Sequence, residues 1–107
     1  MDSLDALKNA LLRVLPGKVS RGHGHKLEPP YIIWDCEHEN DLFADDVPVV
    51  QIMCGQVGLY YKGENDDLIS RVHQALCELD TCSCELVSNH YVEDLALNEC
   101  LWNFEVV

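Results

Sequence analysis

The chain has 107 residues, 48% of them hydrophobic, enough for one domain, which at this size buries roughly two-thirds of the surface its unfolded form exposes. Seven Lys and Arg stand against nineteen Asp and Glu, a net charge of −12, so a nucleic-acid backbone meets repulsion instead of a counterion-releasing basic stripe, and specific DNA or RNA binding is excluded. The same charge suits a wall past which DNA slides without sticking.

Ser3 caps a first helix running to about residue 15, with Leu4, Leu7, Leu11, Val14 and Leu15 on one stripe and Asp5, Lys8, Asn9 and Arg13 mostly outside it. Pro16-Gly17 ends it. Residues 18–30 carry Gly22, Gly24, Pro29 and Pro30 without apolar periodicity, so the expectation is a flexible exposed loop over about 17–30, an adaptable contact arm. The β-branched and aromatic run at 31–37 reads as a strand, and the polar run at 38–46 as a loop. Residues 49–61 give the longest strand pattern, broken by Gly55 and Gly58, which point to a bulge, a bend or a close backbone approach. A long hairpin with the preceding strand follows.

The segment Gly63-Glu64-Asn65-Asp66 turns the chain into a second helix, with Asn65 or Asp66 as N-cap and acidic residues in the first turn, where the helix dipole favours them. That helix runs to about residue 79, with Leu68, Ile69, Val72, Ala75, Leu76 and Leu79 on its apolar face. A link at 80–83 leads to a weaker strand at 84–92. In the closing strand at 98–107, Cys100, Trp102, Phe104 and Val106 alternate with Leu101, Asn103 and Glu105 and form the buried face.

These elements predict an α+β fold in one domain over 1–107: an antiparallel or mixed β-sheet of about four strands flanked by two helices, in the order α-β-β-α-β-β. The N-terminal stretch is acidic where a signal peptide is basic, and no apolar run approaches the roughly 18 residues that span a bilayer, so the expectation is a cytoplasmic chain without a membrane partner. In that compartment the six cysteines are expected to stay reduced and structural, with Cys54 and Cys100 in apolar strands and Cys77 on a helix as buried thiols.

The sharpest metal candidate is His23-Gly24-His25 with Cys82-Ser83-Cys84, four ligands able to form a tetrahedral zinc site if the two segments meet. Spacing argues against it: structural zinc pairs sit two to four residues apart so that the chain can bend round the ion, and these pairs are separated by one residue. No metal or other cofactor is expected. The carboxylates at 35–46 and 64–67 read as a solvated acidic face, since none sits in an apolar setting that raises its pKa for acid catalysis. His73 and Cys77, four apart on one helix, are neighbours, and His73 or His90 beside Cys77 or Cys100 is the nearest approach to a nucleophilic pair. No oxyanion-hole or phosphate-cradling glycine motif accompanies them, and no enzyme activity is expected. Trp34 and Trp102 read as core anchors.

The leading amphipathic helix at 3–15, Pro29-Pro30-Tyr31-Ile32-Ile33-Trp34, Ala44-Asp45-Asp46 before a long strand, Tyr60-Tyr61 leading to the helix at 66–79, and the closing Leu101-Trp102-Asn103-Phe104-Glu105-Val106 belong together. In this order the chain resembles the small tail-completion and head-tail joining proteins of long-tailed bacteriophages, the group that includes tail terminators, over nearly its whole length. The resemblance implies a helix-flanked sheet and a non-enzymatic virion protein assembled in the host cytoplasm. It also implies a ring oligomer, commonly a hexamer, that closes the tail tube or joins it to the head connector, with DNA passing through the lumen. The high cysteine count departs from the pattern.

A closed ring needs two different complementary patches on each subunit. Lys18, Arg21 and Lys26 concentrate three of the seven basic residues in one arm, and Glu37, Glu39, Asp41, Asp45 and Asp46 supply the opposite charge, so charge-guided docking between neighbours is expected there. The competing class is a small acidic protein-binding regulatory module, metal-responsive through His23, His25, Cys82 and Cys84.

Overall fold

Helix α1 spans Ser3–Val14, and its periodicity places Leu7, Ala10, Leu11 and Val14 on one buried stripe. The computed structural model describes residues 3–22, 27–39, 43–44, 47–48, 52–80 and 82–106, with the backbone alone at 3, 37–39, 43–44, 47–48 and 52. Past α1, Leu15 N–H still donates to the Leu11 carbonyl at 3.1 Å, and Gly17, at φ +75°, takes the left-handed conformation that ends many helices.

The chain then corrects the expectation of a loop throughout 17–30. Strand β1 (Val19–Arg21) pairs in parallel with β2 (Tyr31–Glu39), flanked by Ile32 N–H to the Lys18 carbonyl and Gly22 N–H to the Trp34 carbonyl, both 2.9 Å. Three residues are too few for a period-2 pattern to be read; backbone pairing to a strand ten residues on makes them a sheet edge. Residues 23–26 lie outside the described residues. Strand β2 also runs two residues further than expected, and across the end of the expected 38–46 loop a short ribbon pairs β3 (Phe43–Ala44) with β4 (Val47–Pro48).

Strand β5 (Ile52–Tyr61) forms the expected antiparallel hairpin with β2. Gly55 sits where backbones approach closely: a Cβ there would overlap the Asp35 carbonyl oxygen and lie 2.8 Å from Cys36 Cα and Phe104 Cζ. Helix α2 (Asp66–Cys77) starts at Asn65, whose Oδ1 accepts from Leu68 N–H at 3.4 Å. It buries Leu68, Val72 and Leu76 and ends two residues before the expected limit. Asn65→Ala should cost about 1 kcal/mol through the lost cap, and Asn65→Asp much less; chemical denaturation of the pair checks this.

Strands β6 (Cys82–Val92) and β7 (Leu97–Val106) form a second hairpin, with a bulge between Leu86 and Ser88. The five strands lie in the order β1-β2-β5-β7-β6, antiparallel except for β1 with β2. The sheet is therefore mixed, and its four long strands keep the expected α-β-β-α-β-β order. Both helices share one core with one face of the sheet, where Trp34, Val57, Trp102 and Phe104 are buried and Trp102 is fully enclosed.

Enclosure has a consequence for pH. Burial pushes the Cys100 thiol from its ordinary 9.0 up to about 11. The folded thiol keeps its proton where the unfolded one has lost it, so its contribution is fully present below about pH 9 and is lost as pH rises toward 11. Thermal stability should fall over that window, and Cys100→Ala should flatten the slope whatever it does to the absolute melting temperature.

Candidate functional site

With the helices on one face, strand alternation assigns Asp35, Gln56, Glu85, Glu99, Asn103 and Glu105 to the other. Polar cross-strand pairs link its strands, including Gln56 Nε2–H to Asn103 Oδ1 at 3.1 Å. A shallow depression on it is lined by Asp35, Gln56, Asn103 and Glu105, beside Gly55. Toward the other end a polar row crosses four strands. Tyr31 stacks on Tyr60 with centroids 5.1 Å apart, Tyr60 O–H donates to Glu99 at 2.7 Å, and His90 Nε2 lies 3.3 Å from Glu99. Burial, then the Glu99 carboxylate, raises the Tyr60 pKa, so the phenol stays a donor.

The charge distribution is one-sided. Strands β2, β5, β6 and β7 contain no Lys or Arg but carry Asp35, Glu37, Glu39, Glu85, Glu99 and Glu105. The seven basic residues are Lys8, Arg13, Lys18, Arg21, Lys26, Lys62 and Arg71, on the helices, at the β1 edge or in connections. At the opposite edge, β6 has one strand neighbour, leaving a long row of backbone groups unpaired within the sheet. Leu86, Val87, Tyr91 and Leu95 are about half exposed along it and in the following turn.

Of the residues singled out in the sequence, Lys18 Nζ donates to the Glu28 carbonyl at 2.9 Å. Arg21 lies 3.9 Å from Asp35 and 4.9 Å over the Trp34 ring, so its charge is already engaged inside its own chain while remaining half exposed. Glu37 and Glu39 lie on β2 with their side chains outside the described residues, as are Lys26, Asp41, Asp45 and Asp46 entirely. His23 and His25, half of the four-ligand candidate that the spacing argued against, also lie outside them.

Cys84 has other company. Its Sγ is 3.2 Å from Cys77 Sγ, which in turn is 3.6 Å from His73 Nε2. The i, i+4 neighbours on α2 thus meet the start of β6. Cys77 is exposed, which corrects its expected burial: the helix stripe runs through Val72 and Leu76, and one further residue turns the side chain about 100° away. Burial first, then Cys77, pushes Cys84 up to about 12 and Cys82 up to about 11, so both are protonated at neutral pH. The sequence carried the His73–Cys77 spacing; nothing local to it marked Cys84 as their partner.

Among the described residues no helix is long and apolar enough to cross a membrane. The molecule is a two-layer α+β domain with two helices on one face of a five-stranded mixed sheet and an open acidic face on the other. No protein-family model matches the chain, and no curated protein does. Among solved structures it is similar to the gp17 protein of bacteriophage SPP1, over 98% of this chain and 85% of that one, with a TM-score of 0.51 and 14% identity. The likeness is one of fold, and the helix-flanked sheet implied by the family resemblance is the fold observed.

Proposed function

We propose that the protein is a non-enzymatic structural component of a long-tailed phage virion, which closes the tail tube or joins it to the head connector as a ring oligomer. The observation that carries this reading is the partition of charge: an open sheet face with acids and no cation on its four long strands, on a domain whose basic residues lie elsewhere. A face of that kind lining a lumen repels the DNA backbone and lets it slide. The bacteriophage origin of the similar structure, matched over nearly the whole chain, supports the same class.

Ring closure needs a head-to-tail contact between unlike patches, and the two edges of the sheet are unlike. One edge is β1 with Lys18 and Arg21, and Lys26 follows in sequence. The other is β6, where exposed Leu86, Val87 and Tyr91 stand among Glu85, Glu93 and Asp94. The proposed contact sets the basic edge of one copy against the acidic side of the next, including the β2–β5 hairpin acids Glu37, Glu39, Asp41, Asp45 and Asp46. Charge steers this encounter, and the apolar β6 side chains supply the area that holds it.

Sedimentation over a concentration series, in low and high salt, tests the contact. A concentration-dependent shift to a closed oligomer is expected, weakened by salt and abolished by Val87→Asp with Tyr91→Asp at an unchanged melting temperature. A monomer at all concentrations and on tail tubes, unaffected by these substitutions, would favour the acidic regulatory module instead.

A further inference from the structure

Cys77 closes α2 and Cys84 is the third residue of β6, and their sulfurs lie 3.2 Å apart. The connection between them is a pinned turn: Glu78 N–H donates to the Gln74 carbonyl at 3.0 Å, Leu79 N–H to that of Leu76 at 3.4 Å, and Cys82 N–H to that of Leu79 at 3.1 Å. The backbone therefore delivers the two sulfurs to each other. Cys77 is exposed, whereas Cys84 is half-buried and packs against the core, so a dissolved reagent reaches Cys77 first.

His73 decides between the two kinds of chemistry open to this cluster. Its Nε2 is 3.6 Å from Cys77 Sγ, but Trp102 Nε1–H donates to its Nδ1 at 3.1 Å, so the neutral ring carries its proton on the nitrogen that faces the sulfur. A metal at Nε2 would move that proton to Nδ1 and set it against the indole N–H of the fully enclosed Trp102. Without His73, two sulfurs of the cluster remain among the described residues, short of the three protein ligands that an open zinc site keeps. Two thiols in contact suit a disulfide instead. That bond is about 2.05 Å long, so the two side chains together close about 1 Å.

We propose that Cys77 and Cys84 are a reversible dithiol–disulfide pair, oxidised by exchange with a low-molecular-weight disulfide. The Cys77 thiolate attacks one sulfur of the reagent, forming a mixed disulfide and expelling a first thiolate. Cys84, having given its proton to solvent, then attacks the Cys77 sulfur and expels the second. One S–S bond forms and one breaks: the protein gives up two electrons and two protons, and the reagent leaves as two thiols. The new bond staples the end of α2 to the edge strand β6. Its use rests on the function proposed above, under which the pair stays reduced in the host cytoplasm and closes when the particle meets an oxidising medium.

In the test, the full chain, purified reduced, is equilibrated in mixtures of reduced and oxidised glutathione, quenched, alkylated and mapped by mass after cleavage at Glu78 and Asp80, which lie between the two cysteines. The expected product joins Cys77 to Cys84, reverts with reductant, and melts about 10 °C above the reduced chain, the shift for closing a loop of this length. Cys84→Ser should stop at one glutathione on Cys77, and Cys77→Ser should take up glutathione at least about 10-fold more slowly, since the remaining thiol is less accessible. Cys82→Ser should form the bond as the parent does. The exchange is read on the free chain, so its failure leaves the assembly reading standing. The proposal is overturned if the parent stops at a mixed disulfide, if mapping places the bond elsewhere, if Cys82→Ser prevents it, or if the oxidised chain melts below the reduced one.

Discussion

Trp102→Ala is expected to destabilise the protein by about 3–5 kcal/mol, the range for deleting a large aromatic from a packed core. The indole is fully enclosed between the helices and the middle of the sheet, where Val57 on β5 and Leu86 on β6 stand opposite it in register. Truncation leaves a cavity that the surrounding strands cannot close, because their spacing is fixed by backbone hydrogen bonds. It also leaves His73 Nδ1 without its donor. Urea denaturation should show a lowered midpoint at an unchanged slope. A loss below about 1 kcal/mol would place this face of β7 outside the core, since surface substitutions rarely exceed half that.

Gly55→Ala should be nearly as damaging, at about 3 kcal/mol, toward the upper end for overpacking. Two of the three atoms its Cβ would meet, the Asp35 carbonyl oxygen and Cys36 Cα, belong to the backbone of β2 and yield only if the β2–β5 pairing opens. Gly58 is the natural control. A Cβ there meets Tyr60 side-chain atoms at 3.0 and 3.2 Å and Leu101 Cδ2 at 3.3 Å, groups that can turn aside, so Gly58→Ala should cost about 1 kcal/mol. Hydrogen exchange along β2 distinguishes the two: protection should fall in the Gly55 variant and persist in the Gly58 variant. Equal losses at both positions would contradict the close approach.

What the sequence made legible was periodic. Leu7 and Leu11, Leu68, Val72 and Leu76, and the alternation from Cys100 to Val106 each repeat at the spacing of their element, and each set is buried as that spacing dictates. What it hid depends on partners far along the chain. Val19-Ser20-Arg21 is a strand because residues 32–34 offer it an edge. The Tyr60–Glu99–His90 row exists only in the registers of β5, β7 and β6. Cys84 reaches Cys77 through the packing of α2 on β6, whereas sequence spacing suggested the histidines at 23 and 25 as its company. Arg21 rests on Trp34 and beside Asp35, contacts that come from the β1–β2 pairing and that no local spacing marked.

These distant placements are also what the assembly reading rests on, since the acidic face and the apolar edge arise from strand order and not from any motif. The most direct measurement is electron microscopy of the protein mixed with tail tubes of the phage that encodes it, with a labelled antibody to locate the chain. The account predicts label and a closed ring at a single end of each tube, lost in the Val87→Asp, Tyr91→Asp variant although that variant still folds. Tubes bare at both ends at saturating protein, or label scattered along their length, would contradict it.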